Sequence, residues 1–305
     1  MNGIGTSEPV VGQPLERGLH ERINGWRDMR ATVPGTMAVD TRGSVVFNRW
    51  AMVPPRPSDA TLDALHRVVA PWRWWTDARF TGLHRVPAER PLVFVGNHTI
   101  FGLYDLPLLY LEIWRRHRLF LHGLGDHIHF KVPGWAQAVR YFGAVPGSRD
   151  NGRRLLAARE SLLVFPGGGR EVARRRDDKY RLHWKRRSGF ARLAVEFGAT
   201  IVPFAMVGAE DAWDVVLDAD DYLRGPAGWL VDRLGVRREI LWPVVRGFGP
   251  TPLPRPARFR FHVGEPLTTR GLAGCHQDHD ACFALREDVR RSVEASIRHL
   301  RSSAL

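Results

Sequence analysis

Apolar residues in this chain gather in short runs that stop on glycine or proline. Pro91-Leu92-Val93-Phe94-Val95-Gly96, Leu162-Leu163-Val164-Phe165 and Thr200-Ile201-Val202-Pro203-Phe204-Ala205-Met206-Val207 show no polar alternation inside them. Runs this short, without a wet face, predict strands covered on both sides. Ala144-Val145-Pro146 closes a shorter strand, and Arg258-Phe259-Arg260-Phe261-His262-Val263 alternates as an outer strand does. Between these runs the spacing turns helical. It predicts helices over 60–69 behind Ser58 or Asp59 as cap, over 106–114, over 152–160 behind Asp150 or Asn151, over 190–197 and over 281–300. Strands alternating with helices predict an α/β domain, a mixed sheet flanked by helices. Residues 1–45 keep no period, and Met52-Val53-Pro54-Pro55-Arg56-Pro57 interrupts the chain. The expected fold carries an N-terminal helical extension, and the expected division is an N-terminal leader at 1–57, partly flexible, and one domain at 58–305 ending in the C-terminal helix.

Composition changes this picture in one respect. Lys and Arg total 45 against 32 Asp and Glu among 305 residues, a formal charge of +13. Such an excess favours a polyanionic partner: nucleic acid, an anionic membrane surface or a phosphate-rich ligand. The eleven Trp residues include the cluster Pro71-Trp72-Arg73-Trp74-Trp75, which suits either core packing or anchoring at a membrane interface. The apolar, irregular stretch 222–256 suits packing or a lipid-facing lid. Two cysteines exclude a disulfide framework, and the opening residues lack the apolar core of a signal peptide. No stretch reaches the roughly 18 uncharged apolar residues of a spanning helix. A peripheral position on the cytoplasmic side of a membrane is therefore expected.

Two segments are candidates for chemistry. In Asn97-His98-Thr99-Ile100-Phe101-Gly102-Leu103-Tyr104-Asp105 a histidine follows a predicted strand, where α/β proteins place ligands. An imidazole there can take a proton from a hydroxyl if a neighbour fixes its tautomer, a task that suits Asp105. Phe165-Pro166-Gly167-Gly168-Gly169-Arg170-Glu171 follows another strand, and its glycines leave backbone amides unshielded toward a phosphate or an oxyanion. A tight strand-to-helix turn is the alternative, and Arg170 and Glu171 at its end favour a substrate site. The segment is neither a P-loop nor a dinucleotide fingerprint, and no Gly-x-Ser-x-Gly elbow occurs.

Other features weigh less. Cys275, His279 and Cys282 share a helical face but match no standard zinc module, so no metal site is expected. His122, Asp126, His127 and His129 read as packing. Arg174-Arg175-Arg176 and Lys185-Arg186-Arg187 lack any nucleic-acid signature beside them and read as a solvated or lipid-facing surface, so no nucleic-acid partner is expected.

Taken together, these segments resemble the glycerolipid (lysophospholipid) acyltransferase family, the PlsC-like proteins, over about residues 75–268. Asn97, His98 and Asp105 correspond to the family's first motif, and Gly143-Ala144-Val145-Pro146-Gly147-Ser148-Arg149 to its second. Phe165–Arg170 corresponds to the third, Phe-Pro-Glu-Gly-Thr-Arg, and Ile201-Val202-Pro203 to the fourth. Four motifs in order are far more specific than one. Two positions depart from the pattern. The family's usual acid position, five residues after the histidine, holds Leu103, and Gly167 stands where the third motif has glutamate. Both resemble the diacylglycerol acyltransferase and phytyl ester synthase-like branch, whose Pro-Gly-Gly-x-x-Glu is matched by Pro166–Glu171.

The resemblance implies transfer of an acyl group from a thioester, on coenzyme A or acyl carrier protein, to a lipid hydroxyl, with no resident cofactor. His98 would be the base and Asp105 its partner. Asn97, Ser148, Arg149, Pro166, Gly167, Gly168, Gly169, Arg170, Glu171 and Pro203 would line the substrate site. The implied acceptor is a neutral glyceride or long-chain alcohol, with lysophospholipid next. The competing expectations are an esterase or thioesterase, in which water replaces the acceptor, and a non-catalytic basic protein that binds nucleic acid or membrane.

Overall fold

The computed structural model describes residues 53–54, 56–224, 226–233 and 241–302, together with two short strands nearer the N-terminus. Those strands, β1 (Met37–Val39) and β2 (Val45–Phe47), pair antiparallel within a unit that ends at Met52. The other residues of the expected 1–57 leader, apart from 53–54 and 56–57, lie outside the described residues.

The unit from Val53 opens with α1 (Asp59–Val68), capped by the Ser58 hydroxyl, and α2 (Ala70–Trp75). There follow β3 (Arg79–Thr81), β4 (Leu92–Gly96), α3 (Leu106–His117), β5 (Leu121–Gly125), α4 (Trp135–Tyr141), β6 (Val145–Pro146), α5 (Arg149–Ala157) and β7 (Ser161–Val164). After these come α6 (Gly169–Val172), α7 (Gly189–Phe197), β8 (Thr200–Val207), β9 (Asp214–Leu217), α8 (Ala219–Leu223), α9 (Pro226–Arg233), β10 (Val244–Arg246), β11 (Arg260–Val263) and α10 (His279–Ser302). Seven strands form one mixed sheet in the order β3-β11-β8-β4-β7-β5-β6. From β8 to β6 the neighbours run parallel, whereas β11 lies antiparallel to β8 and parallel to β3. β9 and β10 make a separate antiparallel ribbon.

The continuous apolar runs now have their reason. Successive side chains of a strand point to opposite faces, and helices cover both faces. Val93 and Val95 of β4 enter a core with Leu155, Leu193 and Val289, from α5, α7 and α10. Leu92 and Phe94 enter the opposite core with Leu109 and Ile113 of α3 and Phe261 of β11. β5 escapes sequence reading because His122, Gly123 and Gly125 interrupt its apolar pattern. The cap of α5 is Ser148, not Asp150 or Asn151: Ser148 holds extended dihedrals and its hydroxyl accepts from Asn151 N–H at 3.1 Å.

The tryptophan cluster divides between two roles. Trp72 points inward and its indole N–H donates to Tyr104 O at 2.6 Å, while Trp74 stays 80% exposed. Beside it Arg73 reaches Glu112 of α3 at 2.7 Å, and Arg115 and Arg116 bind the same carboxylate. Glu112 is wholly buried. Burial alone raises its pKa, but Arg115, Arg116 and Arg73 outweigh that and hold it down to about 2. Its folded-state value is depressed, so its contribution is present above the ordinary value near 4.5 and is lost as pH falls through that window toward 2. Glu112→Gln should cost about 2 kcal/mol, less than a fully buried pair because the three arginines are a third or more exposed. Urea unfolding at pH 7 and pH 3 checks this: the gap between wild type and variant should narrow in acid.

Candidate active site

Because β4, β7, β5, β6 and β8 run parallel, their carboxyl ends share one edge of the sheet, the edge where such sheets bind ligands. His98 leaves β4 at this edge, and Phe165–Gly168 leave β7 one strand away. Asn97 fixes the exit. Its amide donates to Met206 O at 2.8 Å and its carbonyl accepts from Met206 N–H at 2.9 Å. Both ends of Asn97 are thereby committed to β8, which makes it a strut rather than a free ligand.

The His98 ring is half-buried against Phe165, centroids 4.3 Å apart. Its Nδ1 lies 3.2 Å from Thr99 O. A carbonyl only accepts, so Nδ1 carries the proton and Nε2 keeps the lone pair. Burial pushes the His98 pKa down to about 4, and the charges of His129 and Arg174 add to that. The imidazole is neutral at pH 7, as a base must be before it acts.

Asp105 was expected to accept the Nδ1 proton. Instead its carboxylate accepts from the Thr99 hydroxyl at 2.6 Å and from Leu106 N–H at 2.8 Å, capping α3. Thr99 therefore links the two groups, its carbonyl facing His98 and its hydroxyl facing Asp105. Burial raises the Asp105 pKa to about 6, against the pull of these hydrogen bonds, so it is largely ionised at pH 7. Two consecutive left-handed residues, Phe101 (φ 61°) and Gly102 (φ 60°), turn the loop between them. A Cβ on Gly102 would lie 1.9 Å from His98 Cε1, so the glycine makes room for the ring.

The glycine turn is held from outside. Arg187 Nη1 donates to Pro166 O at 2.7 Å and to Gly167 O at 2.9 Å. Gly168 takes φ 56° and ψ −144°, a conformation close to glycine-only, and its N–H is spent on Phe165 O at 3.0 Å. Gly169 and Arg170 open α6, and the Arg170 side chain is half-buried and engaged. Glu171 is fully buried with both oxygens occupied, by His98 N–H at 2.7 Å and His183 N–H at 2.8 Å.

The remaining predicted residues are spread out. Ser148 spends its hydroxyl on the α5 cap, and Arg149 follows it, exposed, at the end of β6. β6 lies three strands from β4, roughly 14 Å away at ~4.8 Å per strand. Arg149 is therefore too far from His98 for both to touch the same atom. Pro203 stays inside the sheet opposite Val95, its carbonyl taken by Gly264 N–H at 2.9 Å.

The basic run is not the free surface its sequence suggests. Arg174 is 2% exposed and donates to His98 O at 2.9 Å, Arg175 pairs with Asp220 and Arg176 with Asp221. Among the described residues no cluster of His, Cys, Asp or Glu suits a metal. Sequence reasoning missed Thr99, Gly102, Arg174 and Arg187. Gly102 left a signal, an isolated glycine beside a candidate histidine, and the others left none.

The mixed-sheet α/β domain thus sets a neutral histidine at a strand exit next to a tight glycine turn, an arrangement with the chemistry to accept a proton. Residues 77–207 match the family model described as Acyltransferase. The chain is 31% identical to phytyl ester synthase 1, chloroplastic, of Arabidopsis thaliana, over 72% of this chain and 33% of that protein. It is 26% identical to the "DGAT1/2-independent enzyme synthesizing storage lipids" of Bos taurus, over 70% of this chain and 57% of that one. Among solved structures it is similar to the 1-acyl-sn-glycerophosphate (LPA) acyltransferase, PlsC, of Thermotoga maritima (TM-score 0.47, 19% identity, 77% of this chain and 78% of that one). The chain spans about a third of the length of the plant relative.

The environment of His98 generates a direct test. Its ring protons, followed by NMR, should titrate well below the ordinary value near 6.5, toward about 4. Gly102→Ala should expel the ring and move the titration back up toward 6.5. A wild-type ring that titrates near 6.5 would contradict the burial described above.

Proposed function

We propose that this chain is an O-acyltransferase that moves a fatty acyl group from an acyl thioester to a lipid hydroxyl. The observation that carries the proposal is the neutral His98, with its Nδ1 proton turned to Thr99 O and its Nε2 lone pair available, inside an acyltransferase domain. The acceptor hydroxyl gives its proton to Nε2 while its oxygen attacks the thioester carbonyl. The tetrahedral oxyanion collapses, the C–S bond breaks, and the thiolate takes the proton back from the imidazolium. Two features ease this cycle. A ring held near pKa 4 surrenders its proton readily to a thiolate, and ionised Asp105 sits one residue link away through Thr99. No covalent acyl-enzyme is needed. His98→Ala should lower turnover by roughly 10²–10⁴-fold with the fold intact. The assay is one labelled acyl thioester offered to purified protein with diacylglycerol, a long-chain alcohol and lysophosphatidate in competition.

A neutral acceptor fits the site better than a phosphorylated one. Gly167 removes the carboxylate of the third motif, and the nearby Glu171 spends both oxygens on backbone amides, so neither position offers a carboxylate to the acceptor's glycerol phosphate site. The relatives named for phytyl esters and storage lipids lean the same way. Arg149 then serves the anionic donor, either coenzyme A or the phosphopantetheine arm of acyl carrier protein. Label should appear mainly in triacylglycerol or wax ester. Label mainly in phosphatidate would reverse the acceptor, and label released as free fatty acid would mean hydrolysis.

The same edge suits a lipid surface. Leu103 after β4, Ile128 and Trp135 after β5, and Trp242, Phe248 and Leu253 on either side of β10 are all exposed. Trp242 packs on Phe101 of the His98 loop at 5.2 Å. No described helix is long and apolar enough to cross a membrane. The reading is peripheral binding on the cytoplasmic side, assisted by the +13 charge. Replacing Trp242, Phe248 and Leu253 together by Ala should weaken sedimentation with anionic vesicles at least tenfold. Replacing Trp74 and Trp75 should weaken it less, and wild-type binding in the triple variant would remove this edge from the interface.

A further inference from the structure

We propose that Glu171 and Arg174 are positioning residues that grip the backbone of His98 at its N–H and its C=O, and that Gly167 provides the space that lets them do so. This rests on the reading of His98 as the base. The Glu171 carboxylate accepts from His98 N–H at 2.7 Å, and the Arg174 guanidinium donates to His98 O at 2.9 Å. A loop residue leaving a strand normally turns these two groups to water or to neighbouring backbone. Here each meets a buried, charged side chain, and charge-assisted bonds are shorter and stronger than neutral ones.

Each gripping residue is itself fixed elsewhere. The second oxygen of Glu171 accepts from His183 N–H at 2.8 Å. Arg174 Nε lies 2.7 Å from Glu210, beyond the end of β8, and Glu210 accepts from Tyr180 N–H at 2.7 Å. The grip therefore ties the exit of β4 to the 180s loop and to the exit of β8, three segments with no sequence continuity.

Gly167 completes the device. A Cβ at that position would lie 2.0 Å from Glu171 Cδ and 2.3 Å from its Oε1. A carboxylate at 171 and a side chain at 167 exclude each other. The departure of Gly167 from the third motif is thus the space Glu171 occupies. Since neither Glu171 oxygen faces outward, Glu171 acts on the reaction through His98 and not on the substrate.

The experiment separates these roles with kinetics and with a readout that needs no transfer assay. Glu171→Gln keeps the volume but offers one acceptor and one NH2, so only one of the two amides it serves stays bonded. Gly167→Ala leaves Glu171 chemically intact and displaces it. Both should lower kcat by about 10–100-fold, the scale of a misplaced catalytic group, with KM for the thioester within about twofold. In parallel, diethyl pyrocarbonate labelling of His98, read by peptide mass spectrometry, should change severalfold in both variants, with exposed His84 as the internal control. A raised KM at unchanged kcat would make Glu171 a substrate ligand and overturn the proposal. So would wild-type kinetics, or wild-type labelling of His98 in both variants. If Glu171→Gln loses its cooperative melt, Glu171→Asp, which keeps the charge and shortens the reach, takes its place in the same comparison. Absence of transfer by the wild type would defeat the acyltransferase reading alone, because the labelling result still decides the grip.

Discussion

Strand β4 cannot move, and everything at the site follows from that. It is buried along its whole length, paired with β7 on one side and β8 on the other, and packed into a different core on each face. A five-residue segment so constrained has no freedom to slip, since a shift of one residue would exchange Val93 and Val95 with Leu92 and Phe94 between the two cores. The first residues past its end inherit that rigidity. Asn97 extends the pairing by one step without being in the ladder, by offering β8 an amide that mimics a peptide.

The fold was legible where physics acts locally. β8 runs from Thr200 to Val207 as its apolar pattern indicates, and α3 begins at Leu106. What stayed hidden depended on partners distant in sequence. β5 reads as a polar, glycine-broken stretch until its neighbours β7 and β6 are known. Arg174 reads as one arginine in a basic run, yet it is desolvated because Glu210 and the backbone of His98 compensate its charge. Arg175 and Arg176 beside it do remain near the surface, so sequence neighbours of identical chemistry took opposite fates.

Of the candidate site, only the gathering of a few residues was legible, and not their wiring. His98, the glycine turn and Glu171 do converge at one edge of the sheet. The contact expected between His98 and Asp105 is replaced by a two-step path through Thr99. The loop between them turns on the left-handed pair Phe101 and Gly102, closed by Gly102 N–H on Ile100 O at 2.7 Å. Asp105 is thereby carried to the start of α3, where it satisfies a helix amide that would otherwise lack a partner. One carboxylate serves a helix cap and a site at once, and spacing alone does not separate those roles.

The exclusion between Gly167 and Glu171 has a consequence for how this chain can be altered. The two positions lie four apart in sequence but compete for one volume, so a side chain at 167 displaces the carboxylate at 171. Residue 167 can therefore be enlarged in this chain without a clash only if residue 171 is shortened in the same step, and the two behave as one unit of design.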